Sequence, residues 1–152
     1  MTEAREDRRE DRREARQLFC RIITPEETIF DGEADLVIAR IADGELGVLV
    51  DHAPLVSTVE IGDVRIHQDD ERHIFATSDG FFKVSENLVQ ILVEEAVPAK
   101  EIDVNEAENR VEEASREISE LTGEEKERRE AERRQRIGEN LVRVARRYAA
   151  EG

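Results

Sequence analysis

Three histidines, one cysteine and a few serines are the side chains that first invite a metal-site or nucleophilic reading. His52, His67 and His73 fall in separate segments with no His-x-x-His or Cys-His spacing, so they do not compose a zinc set. Cys20 lies in the apolar run Leu18–Ile23 and reads as a packed thiol; being single, it can form no internal disulfide. A Ser-His-Asp triad can be drawn from Ser57 or Ser78 with His52 and Asp51 or Asp79, but neither serine stands in a nucleophile elbow, and the triad is rejected. Gly44-Glu45-Leu46-Gly47 lacks the Gly-Lys-Ser/Thr ending and the following helix of a phosphate loop. It reads as a sharp glycine turn that presents one carboxylate, followed by a short strand and a corner stopped by Pro54.

The remaining chemistry is that of charge. The chain has 152 residues and a formal net charge of −15, which argues against a dedicated nucleic-acid binder. Residues 126–147 run against that trend, with nine Lys or Arg and four Glu. Arg128, Arg129, Arg133, Arg134, Arg136, Arg143, Arg146 and Arg147 can form a solvated helix face, or a surface for an acidic partner through bidentate carboxylate pairs. Arg146 and Arg147 also suit the negative end of a helix dipole. Residues 1–16 hold six Arg and six acidic residues without Ile, Leu, Val or Phe, and read as a charged, disordered arm.

The elements that must position these groups change character along the chain. From 17 to 98, short Val-, Ile- and Phe-rich runs alternate with turn signals, which predicts a flattened β-sandwich of nine or ten strands. The expected strands are Leu18–Ile23, Glu27–Phe30, Glu33–Ala39, Gly47–Val50, Val56–Val59, Asp63–His67, His73–Ser78, Gly80–Val84 and Asn87–Glu94. Asp31-Gly32 and Asp79-Gly80 read as tight hairpin turns. From 99 to 152 the period becomes helical. Val104, Ala107, Val111, Ala114, Ile118 and Leu121 form one stripe, with Asp103 and Glu106 as a capping box. Thr122-Gly123 breaks that helix, and Thr122 with Glu125 repeats the capping pattern. A second helix is expected from about Glu124 to Ala150, with Ala131, Ile137, Leu141, Val144, Ala145 and Tyr148 on its apolar side. The result is an antiparallel αα-hairpin whose thin stripes need another surface to bury them. No apolar run approaches the roughly 20 residues of a membrane span, and no signal peptide is read at the N-terminus; the expectation is a soluble, cytoplasmic chain that meets a membrane only through a partner.

Gly44–Leu55 with its His-Ala-Pro-Leu, preceded by Ile23-Thr24-Pro25-Glu26 and Phe30-Asp31-Gly32-Glu33-Ala34, and followed by Ile61-Gly62-Asp63-Val64 and Asp79-Gly80-Phe81-Phe82-Lys83-Val84, closely resembles the epsilon subunit of bacterial F-type ATP synthase, called delta in the mitochondrial enzyme. The resemblance runs from about Leu18 to the end and is most specific through Asp103. It implies a non-catalytic central-stalk rotor subunit, peripheral on the cytoplasmic face of the membrane, that couples the gamma subunit to the rotor ring. It places Glu45 and His52 against the ring, and the apolar edge of the sandwich against gamma. It also implies a hairpin that can extend to the catalytic beta subunits and inhibit ATP hydrolysis, with Arg128, Arg129, Arg133, Arg134 and Arg136 as the candidate contacts. The usual Pro-Gly before His-Ala-Pro-Leu is here Val50-Asp51. Some members bind regulatory ATP through Ile or Leu, Asp, two variable residues, Arg and Ala. This chain matches Ile102, Asp103 and Ala107 but carries Glu106 where the arginine belongs, which reverses the sign offered to a phosphate. The expectation is therefore no cofactor, with Asp103 a weak nucleotide candidate and Arg128, Arg129 or Arg133 as the evident replacement cations. Setting the resemblance aside, the sequence also suits a free β-sandwich adaptor with a coiled-coil tail for an acidic protein.

Overall fold

The computed structural model describes residues 16–123 and 125–149. The arm expected at 1–16, apart from Arg16, and the second-helix ends expected at Glu124 and Ala150 lie outside them. Ten strands come first: β1 Leu18–Ile23, β2 Thr28–Ala34, β3 Leu36–Ile41, β4 Gly44–Val48, β5 Leu55–Val59, β6 Gly62–Gln68, β7 Glu71–Thr77, β8 Gly80–Ser85, β9 Leu88–Val93 and β10 Ala96–Pro98. A short 3₁₀ turn, Ala99–Glu101, leads to helices α1, Val104–Glu120, and α2, Glu125–Arg147.

The strands hydrogen-bond in the order β10-β7-β6-β3-β5-β8-β9-β1-β2, with β4 beside β3. β3 and β5 share a single residue pair, Ile41 with Val59, and there the sheet folds over into two layers. At the other edge the Asp35 N–H donates to His67 O at 2.7 Å and the Gln68 amide to Glu33 O, so β2 closes against β6. Period-two alternation sends Ile22, Val37, Ile66, Phe82, Val89 and Ile91 into the space between the layers, each at 0 % exposure. Cys20 is among them, a packed thiol as its sequence context indicates.

Several turn assignments are corrected. Asp31-Gly32 is no turn: β2 runs straight through it, with Gly32 opposite Cys20 and Asp31 opposite Arg21. The break comes at Asp35 instead, because β2 and β3 serve different layers and the chain must change direction between them. The expected strand Glu33–Ala39 is thus the tail of β2 and the head of β3. Asp79-Gly80 makes no hairpin either, since β7 and β8 also lie in different layers and do not pair. Glycine stands at 80 because a Cβ there would come 2.1 Å from the Leu92 carbonyl oxygen on the neighbouring strand. Gly44–Gly47 is strand β4 itself rather than the turn. The chain reverses at Ala42-Asp43, Gly44 takes φ +121°, and the strand ends at Val48, leaving Leu49 and Val50 in the loop beyond. Two-residue connections fall instead at Ala42-Asp43, Asp69-Asp70 and Glu86-Asn87; the last, with φ +50° and +62°, joins Ser85 to its partner Leu88. Both residues adopt left-handed conformations without glycine, as a type I′ turn demands.

The helices form the expected antiparallel pair and bury their stripe on the outer face of β7. Ile74 and Ala76 there meet Ala107, Ile137, Leu141, Val144 and Tyr148 in a second apolar cluster. That is why Ile74, Phe75, Ala76 and Thr77 are buried in succession: one side of β7 faces the sandwich core and the other the helices. Gly138 lies at the helix crossing, where a Cβ would come within 2.8 Å of a Val111 methyl.

Candidate functional site

The functional candidates fall on three surfaces, none of which is an enclosed reaction centre. Among the described residues no His, Cys, Asp and Glu groups cluster to hold a metal. His67 and His73 lie on β6 and β7, and the His73 ring is 5.3 Å from that of Phe30, tilted at 51°, and bonded to Gln68. His52 sits in the loop after β4, its Nδ1 2.7 Å from Ala53 O. Ser78 Oγ accepts the Glu94 and Glu95 N–H groups at 3.1 Å each, a structural tie with no base beside it.

The first surface is the β3–β4 hairpin with the loop beyond it. Glu45 is the second residue of β4, paired in register with Arg40, and its carboxylate is gripped by Arg65 Nη2. His52 comes after the opposite end of that strand, so the structure sets Glu45 and His52 apart along β4. The His52 loop is pinned from below. Asp51, at φ +64°, donates its N–H to Asn87 Oδ1 at 2.6 Å, and the Asn87 side chain donates back to Asp51 Oδ1. The departure Val50-Asp51 is thereby accommodated: aspartate tolerates the left-handed turn and gains a partner from the β8–β9 hairpin. Leu49, 59 % exposed, projects from the same loop.

The second surface is the outward face of the β5-β8-β9-β1 layer, the side of the body away from the helices. Val56, Phe81, Leu92 and Phe19 stand there at 73 %, 65 %, 44 % and 42 % exposure. Phe81 is the cross-strand partner of Leu92. Val56 stands on the strand next to Phe81, whereas Phe19 pairs with Leu88, four residues along β9 from Leu92; exposed apolar side chains grouped in this way are a feature of interaction surfaces. At its margin a groove of about 850 Å³ is lined by Ile23, Phe81 and Leu92 together with Asp79, Glu94 and, from α2, Arg133. Sequence reading passed over this face, although the alternation of Gly80-Phe81-Phe82-Lys83-Val84 already sends Phe81 outward and Phe82 inward.

The third surface is the hairpin, and its arginines divide. Arg133 donates through Nε to Asp79 at 2.8 Å and through Nη1 to Glu94 at 3.1 Å, joining α2 to the β7–β8 connection and the end of β9. Burial opposes its charge, but the hydrogen bonds and negative charge of Asp79 and Glu94 outweigh that and raise its pKa above the usual arginine value. Arg134 pairs with Glu117 across the two helices at 2.9 Å, and Arg128 donates to Leu121 O. Arg128, Arg129, Arg134 and Arg136 are exposed. Two further docking residues, Arg110 and Asn140, were not singled out by the sequence reading. Arg110 makes a two-pronged pair with Glu95 at 2.6 and 2.9 Å, and Asn140, 4 % exposed, donates to Gly62 O at 2.9 Å and Thr77 O at 3.4 Å. Tyr148 donates to Asp63 at 2.9 Å.

At the foot of α1, Asp103 Oδ1 accepts the Glu106 N–H at 3.2 Å, so Asp103 is an N-cap. The hollow beside it, about 130 Å³, is bordered by Glu95, Glu101, Asp103 and Glu106, and its one cation, Arg110, is held by Glu95. Arg128, Arg129 and Arg133 do not line it.

The family described as ATP synthase, Delta/Epsilon chain, beta-sandwich domain matches residues 17–99. The chain is similar to the ATP synthase epsilon chain of Rubrobacter xylanophilus, 66 % identical over 138 residues that cover 88 % of this chain and 94 % of that one. It is similar to the ATP synthase epsilon chain of Desulforamulus reducens, 41 % identical over 87 residues, 57 % of this chain and 66 % of the relative. Among solved structures it resembles a chain of the Euglena gracilis mitochondrial ATP synthase, seen by cryo-EM with OSCP, F1 and c-ring in rotational state 1. That match has a TM-score of 0.70 and 26 % identity, and covers 85 % of this chain and 81 % of the other.

Proposed function

The chain belongs to the ATP synthase delta/epsilon family, and on that footing we propose that it is a non-catalytic rotor subunit of the central stalk, seated between the gamma subunit and the membrane rotor ring. The observation that carries this reading is the uncovered apolar face of Val56, Phe81 and Leu92 on the layer opposite the helices. A body whose other broad face is already covered by its own hairpin presents this one to a partner, and the gamma subunit is the partner we assign to it. The loop carrying Leu49 and His52, together with Glu45, meets the polar loops of the ring. A close-packed aliphatic interior suits the transmission of torque, since cores of this density resist compression.

The hairpin is assigned an inhibitory role. In the structure it is folded down on β7, with Arg133 spent on Asp79 and Glu94. Extended, it would offer Arg128, Arg129, Arg133, Arg134 and Arg136 to an acidic loop of the catalytic beta subunits. Beside the apolar cluster on β7, the ion pairs of Arg110 and Arg133 that hold it are partly exposed, which suits a reversible arm between two states of similar free energy. No described helix is long and apolar enough to cross a membrane; membrane association is assigned to the complex, on its cytoplasmic face.

Two experiments test this. Tagged full-length chain, recovered from membranes, should bring down the gamma, beta and ring subunits. Phe81→Glu with Leu92→Glu should lose gamma while the far-ultraviolet spectrum stays unchanged. Recovery of an unrelated acidic scaffold without gamma would instead favour a free adaptor. Truncation before residue 124 should raise ATP hydrolysis by the assembled enzyme and leave coupled synthesis largely intact; unchanged hydrolysis would remove the inhibitory role.

A further inference from the structure

Arg65, which no sequence pattern singles out, sits in the middle of β6 with its side chain 17 % exposed. Its Nη2 is ion-paired with Glu45, while its Nε lies 3.5 Å from Asp63 Oδ2, within ion-pair range but too far for a good hydrogen bond. Among the described residues that buried Nε–H has no hydrogen-bond partner. The same oxygen, Asp63 Oδ2, accepts from Tyr148 Oη at 2.9 Å, and Tyr148, 6 % exposed, closes the last turn of α2 onto the β7 cluster. A buried donor left unmet is costly and calls for a cause. The cause here is a guanidinium held by Glu45 at one end and so kept from closing on Asp63 at the other.

We propose that Arg65 is a positioning residue that ties the state of Glu45 to the docking of the C-terminal turn of α2. When another group takes the Glu45 carboxylate, the guanidinium closes on Asp63, satisfies its Nε–H and weakens the acceptor that Tyr148 uses. When Tyr148 leaves, Asp63 draws Arg65 away from Glu45 and frees that carboxylate. Such coupling is reciprocal by thermodynamic necessity. The identity of the group that takes Glu45, a polar donor of the ring loops, rests on the rotor reading above; the coupling itself is a property of the isolated chain.

Amide hydrogen exchange on the full chain tests it, using the wild type, Glu45→Ala, Tyr148→Phe and the double variant, with the β8–β9 amides as a control for the integrity of the body. Glu45→Ala should speed exchange over residues 137–148 by about two- to tenfold, the range a single hydrogen bond commands, and leave the control amides unchanged. Tyr148→Phe should have an effect of the same order, and the double variant should exchange no faster than Tyr148→Phe alone. Arg65→Lys, which keeps the charge but loses the Nε–H, should abolish the response to Glu45→Ala. Unchanged helix exchange in Glu45→Ala, or effects that multiply in the double variant, would overturn the coupling. Because no ring subunit is present, either result is independent of the pull-down that tests the rotor assignment.

Discussion

Several side chains carry roles their sequence context only half discloses. Cys20 was legible as a core thiol from its apolar run, and its depth has a consequence for alkaline stability. Burial, helped by the charge of Asp31, pushes its pKa from 9.0 up to about 12. A pKa raised on folding means that the unfolded chain releases the proton first. The contribution is therefore fully present below about pH 9 and is lost progressively toward pH 12, at about 1.4 kcal/mol per pH unit. Urea titrations between pH 8 and 11 should show that slope, and Cys20→Ala, though less stable overall because of the cavity, should show a shallower one. Tyr148, raised by burial and by its bond to Asp63, adds a fall of the same sign and persists in that variant. Glu106 was legible as a departure from a nucleotide pattern, and with Glu95, Glu101 and Asp103 it gives the hollow at the foot of α1 a mostly acidic border. Calorimetry with millimolar ATP on the isolated chain should give at most weak heats; a micromolar dissociation constant would contradict this account. Gly80 was legible as a special position, but for the wrong reason. The sequence shows a turn dipeptide and cannot show the Leu92 carbonyl that excludes a side chain.

Among the elements, both helices and most strands were read correctly, β1 to the residue, while two connections between strands were not. Both helices follow from their stripes, and every residue assigned to the apolar side of α2 is buried. The errors at Asp31-Gly32 and Asp79-Gly80 share one origin. Local turn propensity says where a chain can reverse, but only the layer assignment of the flanking strands says whether it does. Glu86-Asn87 escaped notice for the converse reason, since a hairpin register enforced left-handed backbone on residues with no glycine. The docking of α2 was likewise invisible, because Asn140 reads as a polar interruption until Gly62 O and Thr77 O are placed opposite it. Asn140→Ala strips those bonds inside a buried contact and should weaken docking by about 1–3 kcal/mol. Limited proteolysis should then cut in α2 while the sandwich survives; equal loss of both would show that the helices and body unfold as one unit.

The molecule as a whole is an acidic body bearing a basic helix, and charge of both signs meets where they touch. Arg110 with Glu95 and Arg133 with Asp79 and Glu94 join the hairpin to the body, and Arg134 with Glu117 and Arg146 with Glu108 join α2 to α1; all are partly exposed pairs, each worth at most about 1 kcal/mol. Raising ionic strength from 0.1 to 1 M shortens the screening length from about 10 to about 3 Å. Exchange in α2 should accelerate over that range while the interior strands hold their protection; a salt-independent helix would mean that apolar burial alone retains it. The fold class was thus readable from composition and period, whereas the exposed apolar face around Phe81 and Leu92 emerged only once strands from distant positions lay side by side. The solitary pairing of Ile41 with Val59 has a mechanical corollary. Force entering one layer and leaving by the other crosses through interdigitated methyl groups and through a few hydrogen bonds at the layer edges, such as Asp35 with His67; methyl contacts bear compression well but slide more readily than a hydrogen-bonded ladder. Placed between a driven wheel and its axle, such a body would serve as a slightly compliant bushing, absorbing brief mismatches in twist along the plane where its two leaves meet.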